Sequence, residues 1–155
     1  GLPEAERGQQ VEQLLARNVA VERLARAVLG RHWRIATEAQ KRRFVALLPS
    51  YLRATYGSRL GAARGYRLEV GTPRPLTAGD MVVPAKARRD GDAPIAIDWR
   101  VTRDDGGWRI LDVVVEGVSL ALAWRNEFDA VITQKGLDGL LDQMERRTSA
   151  RMAAS

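Results

Sequence analysis

Apolar residues in this chain change their spacing twice. They recur at the helical spacing of about 3.6 residues up to residue 62, alternate at the two-residue spacing of strands over 66–117, and then return to helical spacing. Helices, then strands, then helices predict an α+β fold. No linker rich in Pro, Gly or Ser divides the 155 residues, so we expect one domain over 1–147. Residues 148–155 are expected to form a frayed tail, as chain ends often do.

The N-terminal part predicts two helices. The first covers residues 9–30 and ends at Gly30, because glycine is common at the C-terminal ends of helices. The second begins at a capping box formed by Thr37 and Gln40 and runs to about residue 62. Pro49 lies inside this helix and removes a backbone hydrogen bond, so we expect a kink or break near residues 45–48.

The middle of the chain predicts an antiparallel sheet of four strands, at about residues 66–71, 81–89, 95–103 and 107–117. Asp90-Gly91 and the segment 104–107 supply the positive φ angles of tight hairpins, so the last three strands are expected to form a meander. The final strand is apolar on both sides apart from Asp112 and Glu116, which is typical of a central strand covered on both faces.

After the strands, Ser119 is expected to cap a helix that ends at Gly136, before a short amphipathic segment. The complete pattern predicts a curved four-stranded antiparallel sheet with helices packed on one side. Such a cone is compatible with an internal ligand cavity and equally with a solid core, and periodicity alone does not separate the two.

Composition and charge argue against a membrane-spanning protein and against a nucleic-acid-binding protein. No apolar run approaches the roughly 20 residues of a membrane-spanning helix, and the first residues lack the pattern of a signal peptide. The net charge of +6 comes from arginines spread along the whole chain, which favours a solvated basic surface over a nucleic-acid patch. Trp99 and Trp124 fall in phase with apolar neighbours, so they are expected in a core or pocket rather than stacked on bases.

The residues offer little for catalysis. His32 is the single histidine and the chain has no cysteine, so a conventional zinc site is excluded and His32 is expected at the surface or at a helix end. Asp112 and Glu116 are the alternative, as a pair of acids, but they would lie some distance apart along a strand. Neither glycine-rich phosphate fingerprint is present.

Five segments between about residues 11 and 146 form a recognisable series: Val28-Leu29-Gly30-Arg31-His32-Trp33, 44–57, Gly107-Trp108, 112–119 and Gly136-Leu137-Asp138-Gly139-Leu140. The most specific part is 116–119 entering a helix that carries Arg125 and Phe128. In their order and spacing these segments together resemble the MlaC, or toluene-tolerance, family.

This resemblance implies a periplasmic protein of Gram-negative bacteria, exported by a signal peptide that this sequence lacks. It implies a fold similar to nuclear-transport-factor-2-like (NTF2-like) domains with additional helices and an internal lipid cavity. The protein would carry phospholipid between an outer-membrane lipoprotein complex and an inner-membrane ABC transporter, as a monomer, without nucleic acid and with no cofactor other than the bound phospholipid. A hopanoid carrier and a small enzyme on an NTF2-like cone are the alternatives.

A carrier of this kind needs apolar side chains around the lipid tails. The headgroup is expected near solvent, beside an arginine at the rim that the sequence does not single out. We expect the apolar faces of the helices and strands to supply the lining: Leu24, Val28, Leu29, Trp33, Phe44, Leu48, Tyr51, Leu52, Tyr56, Ile97, Trp99, Val101, Val113, Val115, Val118, Leu120, Trp124 and Phe128.

Overall fold

A computed structural model describes residues 17–61, 65–77 and 79–154, without the side chains of 56–61 and 151–154. Its order of elements is the predicted one of helices, strands and helices. Helices α1 to α3 span Val21–Leu29, Arg31–Ile35 and Glu38–Gly61. Strands β1 to β6 span Arg67–Val70, Arg74–Pro75, Asp80–Arg88, Ile95–Asp104, Gly107–Val115 and Val118–Ser119, and α4 spans Leu120–Ala154.

The predicted helix ends are present. Gly30 ends α1 at φ 56°, a conformation that favours glycine. The backbone amide of Gln40 donates to Thr37 Oγ1 at 3.1 Å and the amide of Thr37 donates to Gln40 Oε1 at 2.9 Å, which is a complete capping box. Helix α3 runs through Pro49 to Gly61, so the break expected near residues 45–48 is absent. The N-terminal part of the first predicted helix lies outside the described residues.

The sheet has six strands, so the expected number of four is wrong. Its order is β1-β3-β4-β5-β6, with all pairs antiparallel, and β2 pairs with β3 as well. The four predicted strands correspond to β1, β3, β4 and β5, with ends that differ by at most two residues. The two additional strands, β2 and β6, contain two residues each, which is too short to produce a period-two pattern.

The predicted meander is confirmed. A two-residue turn at 105–106 joins β4 to β5, and Gly107 lies opposite Asp104 with φ 116°. Strand β5 is paired along both edges, by β4 on one side and on the other by β6 and by a bridge from Val19 to Ile110. A β-bulge interrupts the β4–β5 register between Arg100 and Val101.

Helix α4 begins as predicted, because Ser119 Oγ accepts the amide of Leu122 at 3.1 Å. Gly136 lies inside it with φ 74° and ψ 171°, so the two helical segments predicted on either side meet here at a kink. Helical backbone extends to Ala154, past the residue at which the tail was expected to fray. Thr148 is buried, and its hydroxyl donates to the carbonyl of Met144 at 2.9 Å.

The fully buried core lies between α1, α3 and α4. Phe128 is its aromatic centre, with ring centroids 5.8 Å from Phe44 and 5.6 Å from Tyr51. Sheet residues are outside this cluster, and the helices contact the sheet chiefly through β5 and β6. The domain therefore has a dry helical core beside a sheet that packs against it at one end.

Candidate functional site

One face of the sheet carries an apolar stripe. Strand geometry and pairing place Trp99 of β4 opposite Val113 of β5, and Ile97 opposite Val115, all on one face with Val101. We call these five residues the apolar stripe. Each is half-buried, in contrast to the helical core, where side chains are fully buried. Large apolar side chains on this face therefore remain partly accessible.

The stripe extends onto β3, where the sequence analysis did not place lining residues. Met81, Val83 and Ala85 lie opposite Val101, Trp99 and Ile97. Met81 and Val83 are half-buried, like the residues that they face. The run 81–85 is apolar at every position and gives no period-two alternation, so only the register against β4 assigns Met81 and Val83 to this face.

Two shielded polar atoms in the described residues lack hydrogen bonds. The indole nitrogen Nε1 of Trp99 and the hydroxyl oxygen Oγ1 of Thr55 are shielded from solvent, and neither has a hydrogen-bond partner in the described part of the chain. Thr55 follows Tyr51 by four residues and Leu48 by seven, so it continues the core-facing side of α3. An unpaired buried donor costs about 1–3 kcal/mol, so both atoms call for an explanation.

Other residues of the expected lining pack in the helical core. They are fully buried: Leu24, Val28, Leu29, Phe44, Leu48, Tyr51, Leu52 and Phe128. Trp33 and Trp124 pack against this cluster and are partly buried, with the ammonium of Lys41 5.2 Å from the Trp33 ring centroid. These side chains contact one another across the helix interfaces.

The remaining predicted residues are scattered. Leu120 is half-buried at the start of α4, and Val118 of β6 is 58% exposed. The side chain of Tyr56 lies outside the described residues. The structure thus separates the predicted lining into the apolar stripe, the helical core and a few peripheral positions.

A groove of about 320 Å³ separates the N-terminal turns of α1 and α4 from the sheet. Its walls include Ala27, Leu76 and Leu122 together with Arg100 and Arg125. Both of these arginines are exposed, and neither forms an ion pair with a described residue. The groove therefore offers two guanidinium groups beside apolar surface, on the face of the sheet opposite the apolar stripe, because Arg100 alternates with Trp99 and Val101 along β4.

A third arginine at this groove is fully engaged. Arg23 of α1 binds both carboxylate oxygens of Asp80 at 3.1 Å and also donates to Thr102 Oγ1 at 3.0 Å. Hydrogen bonding from Arg23, and secondarily from Thr102, holds the pKa of Asp80 below its usual value, and hydrogen bonding to Asp80 raises the pKa of Arg23. This pair connects α1 to β3 and β4 rather than offering free charge.

The acids considered for catalysis have structural contacts. Asp112 is buried and accepts hydrogen bonds from Ser119 Oγ at 2.5 Å and from the amide of Ala121 at 3.0 Å. Glu116 has φ 51°, lies in the turn after β5 rather than in the strand, and accepts the amide of Ala96 at 2.7 Å. Each carboxylate therefore holds a backbone segment in place, and the two do not form an acid pair.

His32 was expected at the surface or at a helix end, and it is the second residue of α2, with most of its side chain buried. Its side chain is 13% exposed, and Nε2 lies 2.6 Å from Asp129 Oδ1. Hydrogen bonding from His32 lowers the pKa of Asp129. This pair joins α2 to α4.

The described residues contain neither a metal-binding cluster nor a membrane-spanning helix. Within residues 17–61, 65–77 and 79–154, no three His, Cys, Asp or Glu side chains are grouped so as to hold a metal ion. Over the same ranges no helix combines the length and the apolar character required to cross a bilayer.

The fold and its apolar stripe define a class of protein: an α+β domain in which a helical core lies beside one antiparallel sheet. A solved structure of this class is a phospholipid-binding protein from Ralstonia solanacearum in complex with a phospholipid. It superposes with a TM-score of 0.80 at 26% sequence identity, and the match covers 96% of this chain and 84% of that chain. The family model described as MlaC protein matches residues 3–146. This chain therefore belongs to the MlaC family, which confirms the resemblance found in the sequence.

Proposed function

We propose that this protein binds a phospholipid in a hollow next to the apolar stripe and carries it through the periplasm. The main support is the structural match over nearly the whole chain to a relative whose structure contains a phospholipid. The chain's own geometry agrees, because Ile97, Trp99 and Val113 present a half-buried apolar face that fatty tails would cover. We propose an NTF2-like cone with this hollow inside.

Lipid movement between membranes needs such a protein. Moving one methylene group into water costs about 0.8 kcal/mol, so a single chain of about sixteen carbons faces a barrier on the order of 12 kcal/mol. A protein that replaces bilayer contacts with contacts to apolar side chains nearly cancels this barrier. The net free energy of transfer is then small, and the partner membranes set its direction.

The headgroup is proposed to remain near water. Burying an unpaired phosphate is prohibitive, whereas a guanidinium group at a polar rim binds phosphate through paired hydrogen bonds. Arg100 and Arg125 carry unpaired positive charge next to apolar surface, but Arg100 alternates with Trp99 and Val101 along β4, so their groove opens on the face of the sheet opposite the apolar stripe. We therefore assign neither of them to the headgroup of a lipid whose tails cover the stripe, and Arg23 has a structural role through Asp80.

Mass spectrometry of the purified protein tests lipid binding. Organic extraction is expected to release about one phospholipid per protein, and the delipidated protein is expected to accelerate transfer of a fluorescent phospholipid from donor to acceptor vesicles. The proposal would be contradicted if the purified protein carries no lipid and does not bind added phospholipid.

The proposed partners follow from family membership and are tested separately. We propose that the carrier exchanges lipid with an inner-membrane ABC transporter complex and with an outer-membrane lipoprotein complex. Transfer from the loaded protein to proteoliposomes that contain the transporter should exceed transfer to protein-free liposomes. Equal transfer to both would remove the transporter from the proposal and leave lipid binding intact.

A hopanoid carrier remains the second candidate, and it would release a polycyclic lipid in the same extraction. An enzyme on the same fold finds little support, because the carboxylates of Asp112 and Glu116 both serve as backbone acceptors.

A further inference from the structure

Trp99 presents a hydrogen-bond donor that the chain does not use. Its Nε1 atom is shielded from solvent and unpartnered in the described part of the protein, although the ring belongs to the half-buried apolar stripe. Indole nitrogen is a donor only, so it needs an acceptor oxygen, and an ammonium or guanidinium group cannot satisfy it. Buried donors in folded proteins nearly always have a partner, and a bound ligand is one source of the acceptor.

We propose that Trp99 Nε1–H donates to an ester carbonyl of the bound lipid, so that the site selects ester-linked diacyl lipids. This assignment rests on the proposed function. In a glycerophospholipid the ester carbonyls are the only polar groups between the apolar tails and the headgroup, and they accept hydrogen bonds without carrying charge. A donor within an apolar surface matches that position along the molecule.

Thr55 supports the same ligand chemistry. Its hydroxyl is a second shielded polar atom without a described partner, and it lies on the core-facing side of α3 beyond Tyr51. A hydroxyl donates to a carbonyl as an indole does. A diacyl glycerophospholipid has an ester carbonyl on each chain, so it brings a second acceptor for a second donor. A dialkyl ether lipid and a polycyclic hydrocarbon lipid have no carbonyl for either donor.

The test compares two probes that differ only in the carbonyl oxygens. Delipidated protein is titrated with dipalmitoyl phosphatidylglycerol and with its dihexadecyl ether analogue. The two complexes differ by one hydrogen bond to a buried donor, so the native protein should bind the diacyl probe about fivefold to tenfold more tightly than the ether probe. Trp99→Phe should abolish most of this preference, and Thr55→Val should reduce it.

Trp108→Phe is the matched control. Trp108 lies on the neighbouring strand on the same face of the sheet, but it is 49% exposed, and it lies against Arg103, whose guanidinium carbon is 5.9 Å from the ring centroid. The same substitution at Trp108 should leave the preference for the diacyl probe unchanged. Equal affinity of the native protein for both probes, or a preference that survives in Trp99→Phe, would overturn the assignment.

Nuclear magnetic resonance gives a readout that does not depend on how well Trp99→Phe folds. The indole N–H resonance of Trp99, identified by eliminating those of the other three tryptophans through single substitutions, should move downfield with the diacyl probe and much less with the ether probe. Equal shifts with both probes would count against the assignment. A protein that binds neither probe would overturn the proposed function together with it, whereas equal binding of both overturns only the role of Trp99.

Discussion

The carboxylate of Asp112 accepts a 2.5 Å hydrogen bond from the hydroxyl of Ser119 and so joins β5 to the start of α4. The same carboxylate accepts the amide of Ala121, and Ser119 Oγ in turn accepts the amide of Leu122. Free amides at the helix start are thus satisfied by side chains. This connection sets where α4 leaves the sheet, and with it the position of Phe128 in the helical core.

Removing this buried acceptor should destabilise the protein. We expect Asp112→Ala to lower the free energy of unfolding by about 2 kcal/mol, because it leaves the Ala121 amide and the Ser119 hydroxyl without their acceptor. Ser119→Ala should cost about 1 kcal/mol as the loss of a helix cap. Urea denaturation measures both values.

The two substitutions act on one hydrogen-bond network, so the free energy of unfolding should fall less in the double variant than the sum of its decreases in the two single variants. Thr133→Ala is the control, because its exposed hydroxyl donates only to the carbonyl of Asp129 within the helix. If Asp112→Ala is as stable as the control, Asp112 does not hold the start of α4.

The Arg23–Asp80 pair predicts a dependence of stability on pH. Because hydrogen bonding from Arg23 lowers the pKa of Asp80 in the folded state, the folded protein binds its proton less readily than the unfolded chain does. The stabilisation by the charged carboxylate is fully present well above the unfolded value of about 3.9. It should disappear as the pH falls through the lower folded value.

Asp80→Asn isolates this contribution. The difference in unfolding free energy between the native protein and Asp80→Asn should be largest near neutral pH and shrink below about pH 4. Glu22→Gln is the control for an exposed ion pair, since Glu22 and Arg26 are 3.6 Å apart and largely solvated, and no measurable change is expected. A difference that stays constant from pH 7 to pH 2 would contradict the role of the Asp80 charge.

A bulky residue on the apolar stripe tests whether a hollow exists. Val113 is half-buried opposite Trp99, so Val113→Trp would fill space there. If the space is a lipid-binding hollow, the variant should keep the thermal stability of the delipidated native protein and lose the co-purifying lipid. In a solid interior the larger side chain would instead overpack the fold and destabilise it by about 1–3 kcal/mol.

Leu68→Trp is the matched control for that experiment. Leu68 belongs to the edge strand β1 and is 49% exposed, so a larger side chain there displaces no buried group. It should retain its lipid and its stability. A Val113→Trp variant that still co-purifies with a full complement of phospholipid would place the lipid away from the stripe.

Local signals in the sequence predicted much of the fold. The capping box at Thr37 and Gln40, the cap at Ser119 and the hairpin before Gly107 depend on residues that are close in the chain, and all are present. The Arg23–Asp80 pair joins residues 57 positions apart, and no local pattern encodes such a contact.

The candidate site was harder to predict for the same reason. Hydrophobic periodicity shows that Leu48 and Val113 each belong to an apolar face, but it does not show what lies opposite that face. The structure places Leu48 in the dry helical core and Val113 on the half-buried stripe. Sequence alone therefore grouped core residues with candidate lining residues.

Gly136 provides a test of the kink in α4. Its φ of 74° and ψ of 171° fall in a region that is essentially restricted to glycine, whereas a Cβ atom built there would meet no atom within 4 Å. Gly136→Ala should therefore lower the free energy of unfolding by about 1–3 kcal/mol through backbone strain alone, without any steric clash. Gln134→Ala, at an exposed helical position two residues earlier, should have little effect. If thermal denaturation shows Gly136→Ala to be as stable as Gln134→Ala, then a straight helix is accessible at this position, and the packing of Leu140 and Leu141 into the core does not require the kink.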